Sequence, residues 1–228
     1  MKDYLEVEYS LVNRPITDYP GKLAKFIVGK FGLTRGQTIL EVGCGRCELL
    51  QHFGTLGLDI HGIDNAESAR GYAKNANAKF ELTEFRPHEM VEIFEGKKFD
   101  IIFSKSFIEH ISDPKAYLEW CFSILQEGGK VITLTPDWEA NFKVFFDDYT
   151  HIKPFTVISL NQCLETAGFS NISVFKFRQL PSTWDSKTMN FLAAMSAFFS
   201  SPRSKKKWFR WSRELMIASV GTKVVGVK

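Results

Sequence analysis

Three groups of residues in this chain have types and spacings suited to chemistry. The first is the run Ile39-Leu40-Glu41-Val42-Gly43-Cys44-Gly45-Arg46-Cys47, followed by Asp64 at the end of a second apolar run. An apolar strand that enters a glycine turn and leaves into a helix brings its backbone close to a ligand. Gly43 and Gly45 accept positive φ there at little cost. The helix start offers unpaired N–H groups. An acid roughly 20 positions on is the ribose-hydroxyl signal of a nucleotide-type βαβ unit. A dinucleotide turn wants a third glycine at position 48, where this chain has Glu48, and the turn lacks the Lys-Ser/Thr pair of a phosphate loop. An acid sits badly beside a pyrophosphate, so the turn suits a nucleoside without a diphosphate.

The second group is Glu109-His110, in Ser106-Phe107-Ile108-Glu109-His110. His110 is placed either to face a substrate as a base or to cap the next helix. The third is the segment Phe146-Asp147-Asp148-Tyr149-Thr150-His151-Ile152-Lys153-Pro154-Phe155-Thr156. His151 can take a hydroxyl proton because imidazole titrates near neutrality. Asp147 or Asp148 would orient it. The alternative is a structural brace with His151 satisfied against backbone. Cys44-x-x-Cys47 also has the spacing of a redox pair, but two small fillers of a turn are the simpler reading.

These groups need elements to hold them. Thr38 to Val42 reads as a buried strand and Arg46 to Phe53 as a helix. A second strand runs from Asp59 to Ile63 with Asp64 at its end, and a helix follows from about Asn65 to Asn75. Lys79 to Leu82, Phe99 to Ser104 and Lys130 to Thr135 are further strands. Asp113-Pro114 opens a helix that runs to about Gln126 and stops at Gly128-Gly129. Upstream, residues 1–19 show no periodicity, and a helix from Pro20 ends at Gly32. Downstream, a helix covers Val157 to Ala167, strands cover Asn171 to Phe177 and part of Met216 to Val225, and residues 182–213 insert one or two helices. Alternating strands and helices predict an α/β sheet covered on both faces. Ligands of such sheets bind at the carboxyl ends of the strands, where the His151 segment also lies.

A length of 228 residues allows one good core, and 44% hydrophobic with 24% charged residues is ordinary for a globule. The net charge of +3 is unevenly placed: Arg203, Lys205, Lys206, Lys207, Arg210 and Arg213 follow one another with no acid between them. A general polyanion binder would be basic more widely, so specific nucleic-acid binding is not expected. The four cysteines (Cys44, Cys47, Cys121, Cys163) read as free thiols, and the start Met1-Lys2-Asp3-Tyr4-Leu5-Glu6 lacks the apolar region of a secretory signal. The longest apolar stretch, Phe191 to Phe199, is too short to span a bilayer.

Taken in order, the motifs resemble one family. Leu40-Glu41-Val42-Gly43-Cys44-Gly45 is similar to the first motif of the class I S-adenosylmethionine-dependent methyltransferases, and His61-Gly62-Ile63-Asp64 to their second. Phe80-Glu81-Leu82-Thr83-Glu84 stands where they carry an acid near the adenine. Phe99-Asp100-Ile101-Ile102-Phe103-Ser104 resembles their fourth strand, and Leu125-Gln126-Glu127-Gly128-Gly129-Lys130-Val131 their glycine turn after it. The match covers about residues 36–136. Cys47 stands where the family usually has glycine, and Glu84 where Asp is commoner. Some quinone-type members hold a divalent metal at a Glu-x-x-Glu-His segment; Ser106 replaces the first Glu here, so no metal site is expected. The Asp147–Thr156 segment resembles one found in methyltransferases of bacterial surface-polysaccharide or sugar pathways.

The resemblance implies a Rossmann-like, doubly wound α/β fold. Its sheet is mostly parallel and seven-stranded, the last strand is antiparallel, and a small helical insertion precedes that strand. It implies one methyltransferase domain over residues 1–228. An arm and helix occupy 1–35, the cofactor-binding core 36–136, a substrate loop 137–156 and a helical insertion or lid 182–213. Expected cofactor contacts are Glu41, Gly43, Cys44, Gly45, Asp64, Asn65, Glu84, Phe85, Ser104 and Lys105, with S-adenosylmethionine bound and S-adenosylhomocysteine as product. Expected catalytic residues are His151, His110 and Asp148. The expected reaction is O-methylation of a sugar or polysaccharide precursor, free or lipid-linked. Methylation of a quinone, phenol or amine is the alternative, and a non-catalytic methyltransferase-like binding subunit the alternative of another class. A cytoplasmic location is expected, with peripheral membrane contact through 203–213 as an option. The oligomeric state is left open.

Overall fold

β1 (Thr38–Val42), β2 (Asp59–Asp64), β3 (Lys79–Leu82) and β4 (Phe99–Lys105) follow the apolar runs of the sequence. Such continuous runs are what a parallel strand buried on both faces requires. β1 pairs in parallel with β2 and with β4, and β2 with β3. With β5 (Leu125–Pro136), β6 (Ser170–Arg178) and β7 (Leu215–Thr222) they form a seven-stranded sheet in the order β3-β2-β1-β4-β5-β7-β6. β6 and β7 are antiparallel, as expected for the last strand. The computed structural model describes residues 3–86, 94, 96–201, 203–204 and 206–226.

The chain divides into two compact units. One comprises residues 1–104, 120–131 and 223–228, the other 105–119 and 132–222. In the first, α2 (Tyr19–Phe31) buries Leu23, Ala24, Ile27 and Phe31 and ends on Gly32 at φ 64°. α3 (Glu48–Thr55) buries Leu50 and Phe53, and the Phe53 ring meets Phe103 of β4 edge-on at 5.3 Å. Both rings are fully buried, each contributing about 1.5–3 kcal/mol. α4 spans Ala69–Asn75.

Several boundaries differ from the sequence expectation, each for a local reason. Residues 1–19 are not featureless: α1 (Tyr4–Glu8) forms there, with Asp3 and Glu6 making a reciprocal capping box. α3 begins at Glu48 rather than Arg46 because Cys47 sits at φ 55°, which no right-handed helix accepts. α4 begins late because Asp64 and Ala66 use the preceding residues for a turn. α5 (Pro114–Ile124) stops before Gln126, and Gly128-Gly129 lie within β5 rather than ahead of it. The amide of Gly128 donates to Lys223 O at 3.0 Å and that of Lys223 to Gly129 O at 2.9 Å, so the glycines are paired as sheet.

In the second unit α6 (Trp138–Asn141) and α7 (Val157–Thr166) follow β5, and Thr156 with Ser159 caps α7. The insertion holds α8 (Lys187–Phe198) and α9 (Lys207–Arg213). Ala193 is the buried residue of α8, while Phe191, Leu192, Met195, Phe198 and the following Phe199 are exposed and Met189 is half-buried. The apolar stretch Phe191 to Phe199 noted in the sequence therefore points largely to solvent. Of the basic cluster, Arg203 and Lys206 are exposed; Lys205 and the side chains of Lys207 and Arg210 lie outside the described residues. No helix among the described residues is long and apolar enough to cross a membrane.

Candidate active site

In the first unit, β1 hands the chain to the glycine turn at Gly43, whose φ is 72°. The amides of Gly43 and Cys44 both donate to Ile63 O of β2, at 2.9 and 3.1 Å. Gly45 continues the turn at φ 50°, a conformation that disfavours any residue with a Cβ. Its amide donates to Asp64 Oδ2 at 2.7 Å, and the amide of Ala66 donates to Asp64 Oδ1 at 2.9 Å. The carboxylate is thus held at both oxygens by backbone. Burial raises its pKa and the backbone amides oppose that rise. Each carboxylate oxygen has a further lone pair, so the group can still accept from a pair of hydroxyls. Positive-φ glycines beside a fixed, half-buried acceptor fit a nucleoside ribose.

The remaining residues of this group are spread more widely. Glu41 is buried within β1, paired in register with Gly62 and Phe103. Cys44 is buried; its S–H···S contact with Cys47 Sγ at 3.7 Å, together with burial, raises its pKa and keeps the thiol protonated. That supports the filler reading of the pair. Cys47 adopts left-handed backbone where the resembled family has glycine, at a cost of roughly 1–2 kcal/mol. Ser104 is buried at the end of β4, in register with Val42. Asn65 is exposed. Glu84 is exposed and its carboxylate pairs with Arg86 at 2.9 Å, while Phe85 meets Trp120 edge-on at 5.5 Å. Gly62 was not among the expected contacts, yet a Cβ there would stand 2.8 Å from Cys44 Sγ and 3.0 Å from Leu50. Its position inside the second motif was the available signal.

Lys105 opens the second unit, and its charge acts to lower the pKa of Glu109. Glu109 itself is fully buried, and burial pushes its carboxyl up to about 7. Oε2 accepts from Thr135 Oγ1 at 2.9 Å. Its carbonyl accepts the amides of Ile152 and Lys153 at 3.0 and 2.9 Å, so the segment after β4 and the His151 loop are stitched together. His110 Nδ1 donates to Thr150 O at 3.1 Å and His151 Nδ1 to Phe145 O at 2.6 Å. A carbonyl only accepts, so both rings carry Nδ1–H, which in the neutral ring leaves the lone pair on Nε2. The rings lie 4.7 Å apart, and His151 also packs 4.5 Å from Phe145. Burial and the neighbouring His151 lower the pKa of His110.

Asp148 Oδ1 accepts the Thr150 amide at 3.0 Å and its hydroxyl at 2.5 Å; Oδ2 stands 3.9 Å from His151 Nε2. Asp147 instead forms a two-pronged pair with Arg203, at 3.0 and 2.7 Å. The structure therefore unites His110, His151 and Asp148 and separates Asp147 from them. Glu109 joins the group; its adjacency to His110 was visible, its burial was not. One ligand atom each of Glu109, His110 and His151 lies within 4.8 Å of the others, a set able to hold a divalent cation.

Comparison with known proteins places this geometry in context. A family model described as a methyltransferase domain matches residues 16–174. A ubiquinone biosynthesis O-methyltransferase of Coxiella burnetii is 30% identical over 113 residues, covering 49% of this chain and 47% of that protein. One of Bradyrhizobium sp. is 30% identical over 108 residues, 46% of this chain and 43% of that one. The chain thus matches about half the length of these curated relatives. Among solved structures, a SAM-dependent methyltransferase of Archaeoglobus fulgidus aligns with a TM-score of 0.67 at 18% identity, over 97% of this chain and 100% of that one. Phosphoethanolamine N-methyltransferase 2 of Haemonchus contortus, in complex with S-adenosyl-L-methionine, aligns at 0.65 and 18% identity, over 98% of this chain and 60% of that one.

Proposed function

Because the chain belongs to the methyltransferase domain family, we propose that it moves a methyl group from S-adenosylmethionine to a hydroxyl of a small aromatic acceptor of the phenol or quinol class. The observation that carries the acceptor side is the pair of imidazoles whose Nδ1 atoms are tethered to Thr150 O and Phe145 O.

When bound, the cofactor supplies an electrophilic methyl group on a sulfonium. The protein supplies position and proton handling. Gly43 and Gly45 let the nucleoside lie against the backbone. Asp64, oriented by two amides, accepts its ribose hydroxyls; such charge-assisted bonds are the stronger kind. Glu41, Cys44, Asn65, Glu84, Phe85, Ser104 and Lys105 stay in the proposed contact set. His151 Nε2 takes the acceptor's proton, and Asp148, 3.9 Å away, stabilises the charged ring. His110 shares the cluster, its lowered pKa keeping a second neutral nitrogen available. Alignment and proximity carry most of the rate, and a base adds about 10²–10⁴.

The choice of an aromatic over a sugar acceptor rests on what the loop leaves available. A sugar site needs free polar groups, but Asp147 is taken by Arg203 and Oδ1 of Asp148 by Thr150. Phe142, Phe146 and Tyr149 are exposed along the same loop. The names of the relatives support the same choice. Exposed Phe191, Phe198 and Phe199, followed in the chain by the exposed cation Lys206, support delivery of a lipophilic acceptor from an anionic membrane surface. Turnover assays with paired catechol and sugar panels test the reading: methylation of sugars alone would reject it.

A further inference from the structure

α1 and the segment after it form no part of the motifs read above, yet they lie directly against the glycine turn. Leu5 is buried in a cluster with Ala66 and Ala69, joined by Tyr9, Tyr72 and Phe80. Its Cδ1 is 3.4 Å from where a Cβ on Gly45 would stand. The amides of Gly45 and Ala66 hold the two oxygens of the Asp64 carboxylate. One apolar side chain therefore packs against a residue that holds each oxygen of the group assigned to the ribose. The charge of Asp3, at the start of α1, is felt at Asp64, and Asp3 Oδ2 accepts the amide of Ser68 at 3.1 Å.

The turn itself holds this arm. Arg46, next to Gly45, has its side chain 7% exposed. Nη1 donates to Tyr9 O at 2.9 Å and to Arg14 O at 2.6 Å, and Nη2 pairs with Glu48 at 2.5 Å. A buried guanidinium spent on two carbonyls more than 30 residues away in sequence is a clamp, since arginine's planar fork loses little further freedom in making several bonds at once.

We propose that α1 is the roof of the cofactor site, that Leu5 shields the Asp64–ribose contact from water, and that Arg46 is the positioning residue that keeps the roof in place. The inference rests on the nucleoside reading of the glycine turn. Excluding water from a charge-assisted hydrogen bond strengthens it, so the roof sets how long the cofactor stays. An arm that served only to cover the core would leave cofactor exchange untouched.

The test uses the full chain with Arg46→Gln and, as a milder change, Leu5→Ala. Dissociation of S-adenosylhomocysteine is followed by stopped-flow displacement, and amide hydrogen exchange is read at residues 5–9 with and without it. The expected result is dissociation at least about tenfold faster in both variants, a raised KM for the donor with kcat nearly kept, and protection of residues 5–9 by the ligand in the wild type. Unchanged dissociation in both variants, or no added protection, overturns the roof while leaving the donor assignment intact. Failure of the wild type to bind S-adenosylhomocysteine overturns both.

Discussion

The amide of Gly45 donates to Asp64 Oδ2 at 2.7 Å, across the 19 residues that separate them. The glycine turn and the strand-end acid are therefore one device rather than two independent signals. The turn fixes the carboxylate, and the carboxylate fixes the turn. Any change at one should be felt at the other.

Asp64→Ala is expected to weaken S-adenosylhomocysteine binding by roughly 10–100-fold, the loss of one or two charge-assisted hydrogen bonds. Asp64→Asn should lose less, because its carbonyl oxygen can keep one of the two amides. Titration calorimetry measures both. Equal affinity of Asp64→Ala and wild type would remove Asp64 from the cofactor site.

Gly62→Ala is expected to destabilise the fold by about 1–3 kcal/mol, the range for overpacking. The new Cβ would stand 2.8 Å from Cys44 Sγ, a side chain with no room to retreat. Urea unfolding of the single variant and of Gly62→Ala with Cys44→Ala checks this, since removing the sulfur should restore most of the loss.

His151→Ala is expected to lower turnover by about 10²–10⁴ while leaving S-adenosylhomocysteine affinity unchanged. If His151 and His110 work as bases, a chelator leaves wild-type turnover intact. Turnover lost to chelator and restored by zinc would instead make Glu109, His110 and His151 ligands of an ion.

His61 is buried, which lowers its pKa; Asp59, at 3.3 Å, partly opposes that, while Lys97 adds to it. The folded state therefore favours the neutral ring, and the unfolded chain binds the proton more readily. The stability that depends on neutral His61 is present above the ordinary value of 6.5 and is lost as pH falls through the lower folded value. Glu109, raised to about 7, has the opposite slope between 4.5 and that value, losing stability as pH rises. The test is accordingly a difference: wild type minus His61→Gln, followed by urea unfolding from pH 7.5 to 5. The difference should shrink on acidification.

Much of the fold was legible in the chain. β1 and β3 fall where their apolar and β-branched residues end, and the parallel pairing of β1 with β2 and β4 follows from strands alternating with helices, whereas the order β3-β2-β1-β4-β5-β7-β6 is decided by the folded chain. The element ends were less legible, because they depend on single backbone angles such as φ 55° at Cys47. The short helix α1 carries no periodic signal; its capping box spans four residues, and Leu5 becomes a core residue only by meeting Ala66 and Ala69. Glu84 reads as a ligand acid by position, and only the folded chain shows that its exposed carboxylate also pairs with Arg86.

The amino-acid sequence by itself determined the glycine turn, the acid after β2 and the alternation of strands with helices, because these rest on residue type and spacing along one chain. Tertiary structure alone decided which polar groups remain available. Asp147 and Asp148 are neighbours with the same chemistry, yet one is held by Arg203 and the other lies beside His151. Hydrogen-bond partners drawn from 56 residues away leave no local trace, and a group's pKa follows its burial rather than its neighbours in sequence.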